Sequence, residues 1–124
     1  DCFKKNIPEN NVVLWPYGLS DSEHSARQGY NSTVLEKEDG DINCRTLDSF
    51  GLTNVDFVKI DVDGFELPLL QGARQTLTQN NPVVNIEMKR NKRQHIVEKC
   101  DVILKDLGYK FRKRTKSDEI WVKS

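Results

Sequence analysis

The sequence lacks the features that identify several common classes of protein. It has no apolar run approaching the roughly 20 residues that a membrane-spanning helix needs, and no secretory signal pattern at its start. Lysine plus arginine and aspartate plus glutamate each number 19, so the formal net charge is zero. This balance provides no bulk attraction to nucleic acid or to an anionic membrane. We therefore expect a cytoplasmic protein with neither nucleic acid nor membrane as a partner.

Cysteine is scarce, and the motifs of several enzyme classes are missing. Cys2, Cys44 and Cys100 are far apart, without metal-ligand spacing or a disulfide framework. We expect reduced thiols, with Cys100 buried on the apolar face of a predicted helix. His24 and His95 stand alone, and we expect both on the surface. The sequence contains no GxSxG, P-loop or CxxC motif, and none of its seven glycines forms a GxG pair.

The length of 124 residues suits one domain with one core, so we assign residues 1–124 to a single α/β domain. Val12–Trp15 predicts a strand that ends at Pro16. Residues 22–40 are polar and charged, and we expect a mobile excursion there with a short strand around Thr33–Leu35. A further short strand is predicted over Ile42–Thr46. Thr46 or Asp48 could then cap a brief helical turn that ends near Gly51.

Apolar patterning becomes stronger after residue 55. Val55–Val62 has apolar residues on both faces, which is typical of a strand buried in a parallel sheet. A helix, a strand, a helix and a hairpin are then predicted over Glu66–Gln79, Val83–Met88, Gln94–Leu107 and Tyr109–Val122. In the hairpin, the apolar residues Tyr109 and Phe111 alternate on one arm, and Ile120 and Val122 on the other. This order predicts a mostly parallel sheet with right-handed crossovers and a C-terminal antiparallel hairpin.

Acidic side chains follow two of the predicted strands. Asp61 and Asp63 lie at the end of the first strong strand, Gly64 turns the chain, and Glu87 ends the next strand. In an open α/β sheet, ligands bind outside the carboxyl ends of the strands. If the two strands are neighbours, the carboxylates converge at one edge and repel one another unless a cation, a proton or a ligand donor joins them.

Three interpretations fit this group of acids. They could form a small-ligand site, as hydrogen-bond acceptors or as a general base. They could instead hold Mg²⁺, which prefers oxygen ligands. In the structural interpretation Asp63 and Gly64 make the turn and Glu66 complements the helix N-terminus. Glu87 then pairs with a lysine.

Two basic stretches, "KRNKR" from Lys89 and "KFRKRTK" from Lys110, leave a similar choice. They could form a surface for phosphate or nucleic acid. They could also be a solvated loop and the solvent face of a hairpin, with their charge balanced by acids elsewhere. We favour the solvated surface.

The segment from Thr46 to Met88 carries a longer pattern. It contains "TLD" at 46–48, "KIDVDGFE" at 59–66, "LQGA" at 70–73, and then Pro82 and Glu87. This combination resembles the FkbM family of S-adenosylmethionine-dependent methyltransferases. The "GLSD" at 18–21 looks like the "ALSD" that follows the third strand in that family. Asp63 replaces the more usual glutamate and keeps the charge.

The resemblance implies a class I methyltransferase fold with a Rossmann-like sheet. It also implies methyl transfer from S-adenosylmethionine to a hydroxyl of a saccharide or other small-molecule acceptor. By position, the implied catalytic residues are Asp61 and Glu87, and the implied cofactor contacts are Asp21, Asp61, Asp63 and Gly64. Asp61 would face the methionine end of the cofactor or the acceptor, and Asp21 would lie near the adenine. By analogy with catechol O-methyltransferase, Asp61 and Glu87 would be a Mg²⁺-binding pair.

The sequence departs from the family in one respect. The glycine-rich loop that approaches the cofactor, and the acid that binds its ribose, have no counterpart before Val12. We therefore expect a partial sheet, the C-terminal portion of a methyltransferase domain, that is inactive alone.

The two absent strands would lie between the third and fourth strands, so two apolar strand edges would be bare. We expect this chain to cover the bare edge by homo-oligomerisation, or by rearrangement of Val12–Trp15 against the fourth strand. The alternative function is a non-catalytic α/β module that binds a protein partner through an exposed strand edge or the basic loop.

Overall fold

The computed structural model describes residues 13, 15, 17–28, 34–35, 42–62 and 64–123. In chain order, their elements are β1 (Gly18–Leu19), β2 (His24–Gln28), β3 (Val34–Leu35), β4 (Ile42–Arg45), a 3₁₀ turn (Asp48–Phe50), β5 (Phe57–Ile60), α1 (Glu66–Gln71), α2 (Arg74–Asn80), β6 (Val83–Glu87), α3 (Gln94–Asp106), β7 (Tyr109–Thr115) and β8 (Asp118–Lys123). The predicted strand over Val12–Trp15 falls largely outside these residues, as do Cys2 and Asp63. Among these helices, none is long and apolar enough to cross a bilayer.

The first four strands form a small sheet in the order β1-β4-β2-β3. β1 runs parallel to β4, whereas β2 is antiparallel to both β4 and β3. The short strand predicted around Thr33–Leu35 is confirmed at Val34–Leu35, and the one over Ile42–Thr46 is confirmed at β4. We did not predict β2, because its polar sequence "HSARQ" gives no apolar alternation and its pairing depends on β4.

The last four strands form the larger sheet in the order β5-β6-β8-β7. β5 and β6 are parallel, and the C-terminal hairpin of β7 and β8 adds antiparallel strands through β8. The parallel pair and the hairpin are therefore confirmed. The prediction of a mostly parallel sheet is wrong for the described residues, because β2 and the hairpin make antiparallel pairings in both sheets.

The core of the molecule lies between the larger sheet and its helices. Its fully buried side chains include Leu70, Leu77, Val84, Ile86, Cys100, Leu104 and Trp121. Burying a leucine-sized side chain contributes about 2 kcal/mol, so this cluster is the main source of stability. Cys100 is buried as expected, and burial raises the pKa of its thiol to about 12.

The predicted helix over Glu66–Gln79 is divided into α1 and α2, which are separated by Gly72 and Ala73. A Cβ on Gly72 would lie 2.1 Å from the carbonyl oxygen of Ser20, so glycine permits the chain after β1 to approach the helix. The Gly72 carbonyl accepts a 2.9 Å hydrogen bond from the Asp48 N–H instead of continuing the helix. These two contacts with distant segments explain the break.

Asp48 also caps the second of these helices. Its carboxylate accepts hydrogen bonds from the backbone N–H groups of Gln75 and Thr76, at 3.1 and 2.7 Å. The predicted helical turn is confirmed as the 3₁₀ turn, with Gly51 at its end in the left-handed conformation. The Thr46 hydroxyl caps this turn by accepting from the Ser49 N–H at 3.1 Å.

Burial of the strands differs from the sequence prediction in two places. β5 was expected to be buried on both faces, but Phe57 is 54% exposed, because β5 is the edge strand of the larger sheet. On β8 the buried residues are Glu119 and Trp121 rather than the apolar neighbours Ile120 and Val122. A buried acid within the hairpin needs charged partners, and these lie next to the end of β6.

Candidate functional site

The parallel pairing of β5 and β6 brings two of the predicted site residues to the same edge. Ile60 lies opposite Ile86 in the register, so Asp61 and Glu87 occupy the next positions at the two carboxyl ends. The expected convergence of these strand ends is therefore confirmed for Asp61 and Glu87. Asp63, the third acid, is outside the described residues.

Gly64 and Glu66 form the turn that follows β5. Gly64 has φ of 95°, and its N–H is shared between the two carboxylate oxygens of Glu66, each at 3.1 Å. A Cβ on Gly64 would lie 2.9 Å from the guanidinium carbon of Arg93. Glycine is favoured here by the backbone conformation, whereas the end of the flexible Arg93 side chain can move aside. The turn and helix-start roles that the structural interpretation gave Gly64 and Glu66 are present.

Glu66 is a nearly buried carboxyl, with only 6% of its surface exposed. Burial raises its pKa, and the hydrogen bonds from backbone N–H groups and the charge of Arg93 only partly oppose this effect. Glu87 is near enough for its negative charge to raise the pKa of Glu66 further. Acidic groups at this edge therefore interact with one another, as the convergence of strand ends predicts.

Glu87 is already paired with a lysine. Its Oε1 lies 3.3 Å from the Nζ of Lys89, and 18% of its side chain is exposed. This ion pair was part of the structural interpretation. Because the carboxylate is still partly accessible, the pair is also compatible with contact to a ligand.

Asp61 and Asp21 have different surroundings. Asp61 is exposed, and no hydrogen bond or ion pair engages its side chain within the described chain. Asp21 is also exposed and follows β1 of the smaller sheet, with its Oδ1 3.3 Å from the hydroxyls of Ser20 and Ser22. The sheet pairing therefore groups Asp61 with Glu87 but leaves Asp21 at the end of a strand in the other sheet.

The donor set for a metal ion is limited. Among the described residues, no group of three or more histidine, cysteine, aspartate or glutamate side chains could hold an ion. The predicted Mg²⁺ pair, Asp61 and Glu87, includes one carboxylate that is already in an ion pair with Lys89. The metal site stays a prediction.

A charged network beside Glu87 was not predicted from the sequence. Glu119 is completely buried, and its carboxylate accepts from Arg90 Nε at 2.7 Å and from Trp121 Nε1 at 3.2 Å. Arg114 donates to the same carboxylate through a terminal nitrogen. Arg90 also holds Asp101 through two hydrogen bonds of 2.9 and 3.0 Å. The only sequence signal was an acid directly before the apolar residues of "DEIWV", opposite a basic strand.

The network is charged at neutral pH. Burial by itself would raise the pKa of Glu119, but the hydrogen bonds from Arg90, Trp121 and Arg114 outweigh it and lower that pKa. The hydrogen bonds to Glu119 and Asp101 raise the pKa of Arg90. Arg90 is therefore a fixed cation at the loop that follows β6.

The sequence matches the family model described as "Methyltransferase FkbM domain" over residues 7–111. The chain belongs to the FkbM methyltransferase family. The fold is similar to a crystal structure of methyltransferase FkbM from Methylobacillus flagellatus KT, with a TM-score of 0.63 over 98% of this chain. At 16% identity, this likeness shows the fold alone. Our FkbM-family chain of 124 residues spans 31% of the length of the Methylobacillus chain. No curated protein matches its sequence.

Several residues of the FkbM resemblance have structural roles in this chain. Asp48 of "TLD" caps α2, and Gly72 of "LQGA" permits the close approach of Ser20. Glu66 of "KIDVDGFE" binds the Gly64 N–H and fixes the turn after β5. Asp61 of the same motif is exposed.

Proposed function

We propose that the protein containing this chain transfers a methyl group from S-adenosylmethionine to a hydroxyl of a saccharide or other small molecule. Membership of the FkbM family supports methyl transfer. The observation that carries the proposal is the register of β5 and β6, which places Asp61 and Glu87 at adjacent strand ends. This edge is where α/β sheets of this kind bind their ligands.

The exposed carboxylate of Asp61 suits the cofactor, because it is an unused acceptor for an ammonium or hydroxyl group. When bound, S-adenosylmethionine supplies a methyl group activated by its sulfonium. We propose that Asp61, Asp63 and Gly64 contact its methionine end, and that Asp21 lies near its adenine. The task of these residues is to orient the methyl group towards the acceptor.

Glu87 is our candidate for the general base. It lies one strand from Asp61, is partly accessible, and could accept the proton of the acceptor hydroxyl as the new bond to carbon forms. The ammonium of Lys89 lies 3.3 Å from the Glu87 Oε1 and holds this carboxylate at the end of β6. No step in this mechanism depends on a metal ion. If Asp61 and Glu87 do bind Mg²⁺, methyl transfer would fall when EDTA is added and return with Mg²⁺.

Activity should be tested with a labelled methyl donor and a panel of hydroxyl-bearing acceptors. Glu87→Gln should lower kcat at least about 100-fold, because it removes the base. Asp56→Asn is the matched control, since Asp56 is exposed at the other end of β5. The role of Glu87 as base would be refuted if Glu87→Gln and Asp56→Asn had the same kcat.

We further propose that the 124-residue chain alone binds S-adenosylmethionine weakly or not at all. This is supported by the lack of a GxG pair in the sequence and by its match to only 31% of the neighbouring structure's chain. Calorimetry on this chain should show no micromolar binding. A dissociation constant in the micromolar range would contradict this proposal without affecting the assignment of the family.

We also propose self-association through the free edge of β5. Within the described residues β5 pairs with β6 alone, and Phe57 is 54% exposed on this edge strand. Unpaired strand edges are templates for pairing with another chain. Light scattering should show a dimer or larger species that Phe57→Lys shifts towards monomer. A monomer at all concentrations would refute this, and stable capture of a different protein by the edge would favour the non-catalytic binding module.

A further inference from the structure

A basic pocket lies beside the candidate base. It has a volume of about 250 Å³ and is lined by Lys89, Arg90, Asn91, Lys92, Arg114 and Ser117. The two basic stretches of the sequence meet here, because the Met88 N–H donates a 2.7 Å hydrogen bond to the Ser117 carbonyl. This bond holds the turn between β7 and β8 against the end of β6.

The guanidinium of Arg90 is fixed before any ligand arrives. Its three nitrogens make four hydrogen bonds to the carboxylates of Glu119 and Asp101, between 2.7 and 3.0 Å. About a third of the side chain, 31%, is exposed. A cation held in one orientation loses little conformational freedom when an anion binds, which favours affinity.

Arg114 has donors that are not used within the described chain. One terminal nitrogen donates to Glu119 and the other to the Met88 carbonyl, so Nε–H and a second N–H on each terminal nitrogen stay available. The side chain is 34% exposed. A guanidinium with adjacent available N–H groups can bind two oxygens of one oxyanion.

Lys92 supplies positive charge that no acid balances. Within the described part of the chain its side chain makes no ion pair or hydrogen bond. The other three cations of the pocket contact Glu87, Asp101 and Glu119. No acidic residue lines the pocket itself among the described residues, and Glu119 is completely buried beneath it. The pocket is therefore positive on its accessible side.

We propose that this basic pocket binds a phosphate group carried by the methyl acceptor. The adjacent N–H groups of Arg114, the one N–H of Arg90 that Glu119 and Asp101 leave unused, and the ammonium of Lys92 match the oxygens and the charge of a phosphate. Lys89 links the pocket to the candidate base, because it both lines the pocket and lies 3.3 Å from Glu87. An acceptor anchored here would have a neighbouring hydroxyl within reach of Glu87. That the bound phosphate belongs to the methyl acceptor rests on the proposed function. The existence of the anion site does not.

The charge balance of the whole chain favours a small phosphate ester over a polyanion. The formal net charge is zero, and among the basic residues that line the pocket only Lys92 makes no ion pair within the described chain. Nucleic-acid binding depends on many phosphate contacts along a basic surface. One pocket with one uncompensated cation suits a single phosphate.

The probe for the test is inorganic phosphate, titrated into the 124-residue chain at constant ionic strength with NMR detection of backbone amides. We expect saturable shifts at residues 89–92 and 114–117, with a dissociation constant in the millimolar range. Lys92→Glu should weaken binding at least about tenfold. Arg114→Lys should weaken it about threefold to tenfold, since the charge stays but paired donors are lost. The matched control is Lys99→Glu, which makes the same charge change on the exposed face of α3.

The outcomes separate this inference from the proposed function. The anion site would be overturned if phosphate caused no amide chemical-shift changes, or changes that do not saturate. It would also be overturned if Lys92→Glu and Lys99→Glu had the same affinity for phosphate. Either result would stand even if the protein is a methyltransferase. A short oligonucleotide should bind no more tightly, per phosphate, than inorganic phosphate does. Tighter binding per phosphate would overturn the assignment of a small ligand. In the methyl-transfer assay, Lys92→Glu should raise KM for a phosphorylated acceptor at least about tenfold and leave KM for its dephosphorylated form unchanged. Equal effects on both acceptors would refute the anchoring role alone.

Discussion

The break between α1 and α2 depends on Gly72, and Gly72→Ala tests this directly. Gly72 has φ of −86° and ψ of 2°, a conformation that alanine adopts without strain. The added Cβ would lie 2.1 Å from the Ser20 oxygen and 3.1 Å from the Thr46 Cβ, whereas real contacts essentially never fall below 3.0 Å. The methyl group or the Ser20 backbone must therefore move by nearly an ångström.

Two opposing effects determine the result of Gly72→Ala. Alanine lowers the entropy of the unfolded chain and favours helix, which stabilises by up to about 1 kcal/mol. Forcing backbone apart in a packed region costs about 3 kcal/mol or more. We expect a net loss of about 2–3 kcal/mol, which corresponds to a fall in Tm of roughly 10 °C for a domain of this size.

Urea unfolding followed by far-UV circular dichroism measures this loss on the purified chain. Gly51→Ala is the control, because its Cβ would meet no atom within 4 Å and only its φ of 61° is unfavourable. That control should cost about 1 kcal/mol. The explanation of the helix break would be refuted if Gly72→Ala were as stable as the unmodified chain, or no less stable than Gly51→Ala.

Three further predictions concern single side chains. Asp48→Ala should lower the free energy of unfolding by about 1–2 kcal/mol, because α2 loses its cap, and Asp56→Ala should not; equal values in urea unfolding would contradict this. Arg90→Met should lower the free energy of unfolding by about 3 kcal/mol, because buried Glu119 is left with fewer partners. Lys99→Met, the control, should be nearly neutral, and equal Tm values for the two variants would contradict this. Burial raises the pKa of Glu66 in the folded state, so protonation of this carboxyl favours folding. The resulting contribution to the free energy of unfolding is fully present below the ordinary pKa of about 4.3. It is lost as pH rises through the folded-state pKa. Glu66→Gln, which keeps an oxygen acceptor for Gly64, should therefore gain stability relative to the unmodified chain as pH rises from 4 to 8, and a difference that is constant with pH would contradict this.

Local sequence patterns predicted the elements after residue 55 well. Val83–Glu87 and Gln94–Asp106 follow their apolar periodicity, and β7 and β8 follow the predicted hairpin. The placement of Asp61 and Glu87 at one edge was also predictable, because parallel strands have their carboxyl ends together and the acids come last in each. These features depend on residues that are close in the chain or on general rules of sheet topology.

The features that were missed depend on contacts between distant segments. From the sequence, Gly72 is only a weak helix former within a predicted helix. Its role becomes visible when the fold places the Ser20 backbone against it. The alternation of β8 predicts that Glu119 points outward, because it cannot show that Arg90 and Arg114 lie close enough to donate to its carboxylate. The basic pocket is missed for the same reason, since its two stretches are far apart in sequence and join only through the end of β6.

We propose above that the acids at the ends of β5 and β6 form the cofactor and acceptor site of an FkbM methyltransferase. The most direct test is calorimetric binding of S-adenosylmethionine to the complete protein that contains this chain, with Asp61→Asn compared with Asp56→Asn. Both residues are exposed and lie at opposite ends of β5. We expect Asp61→Asn to weaken cofactor binding at least about tenfold and Asp56→Asn to leave it unchanged. Equal affinities in the two variants would contradict it.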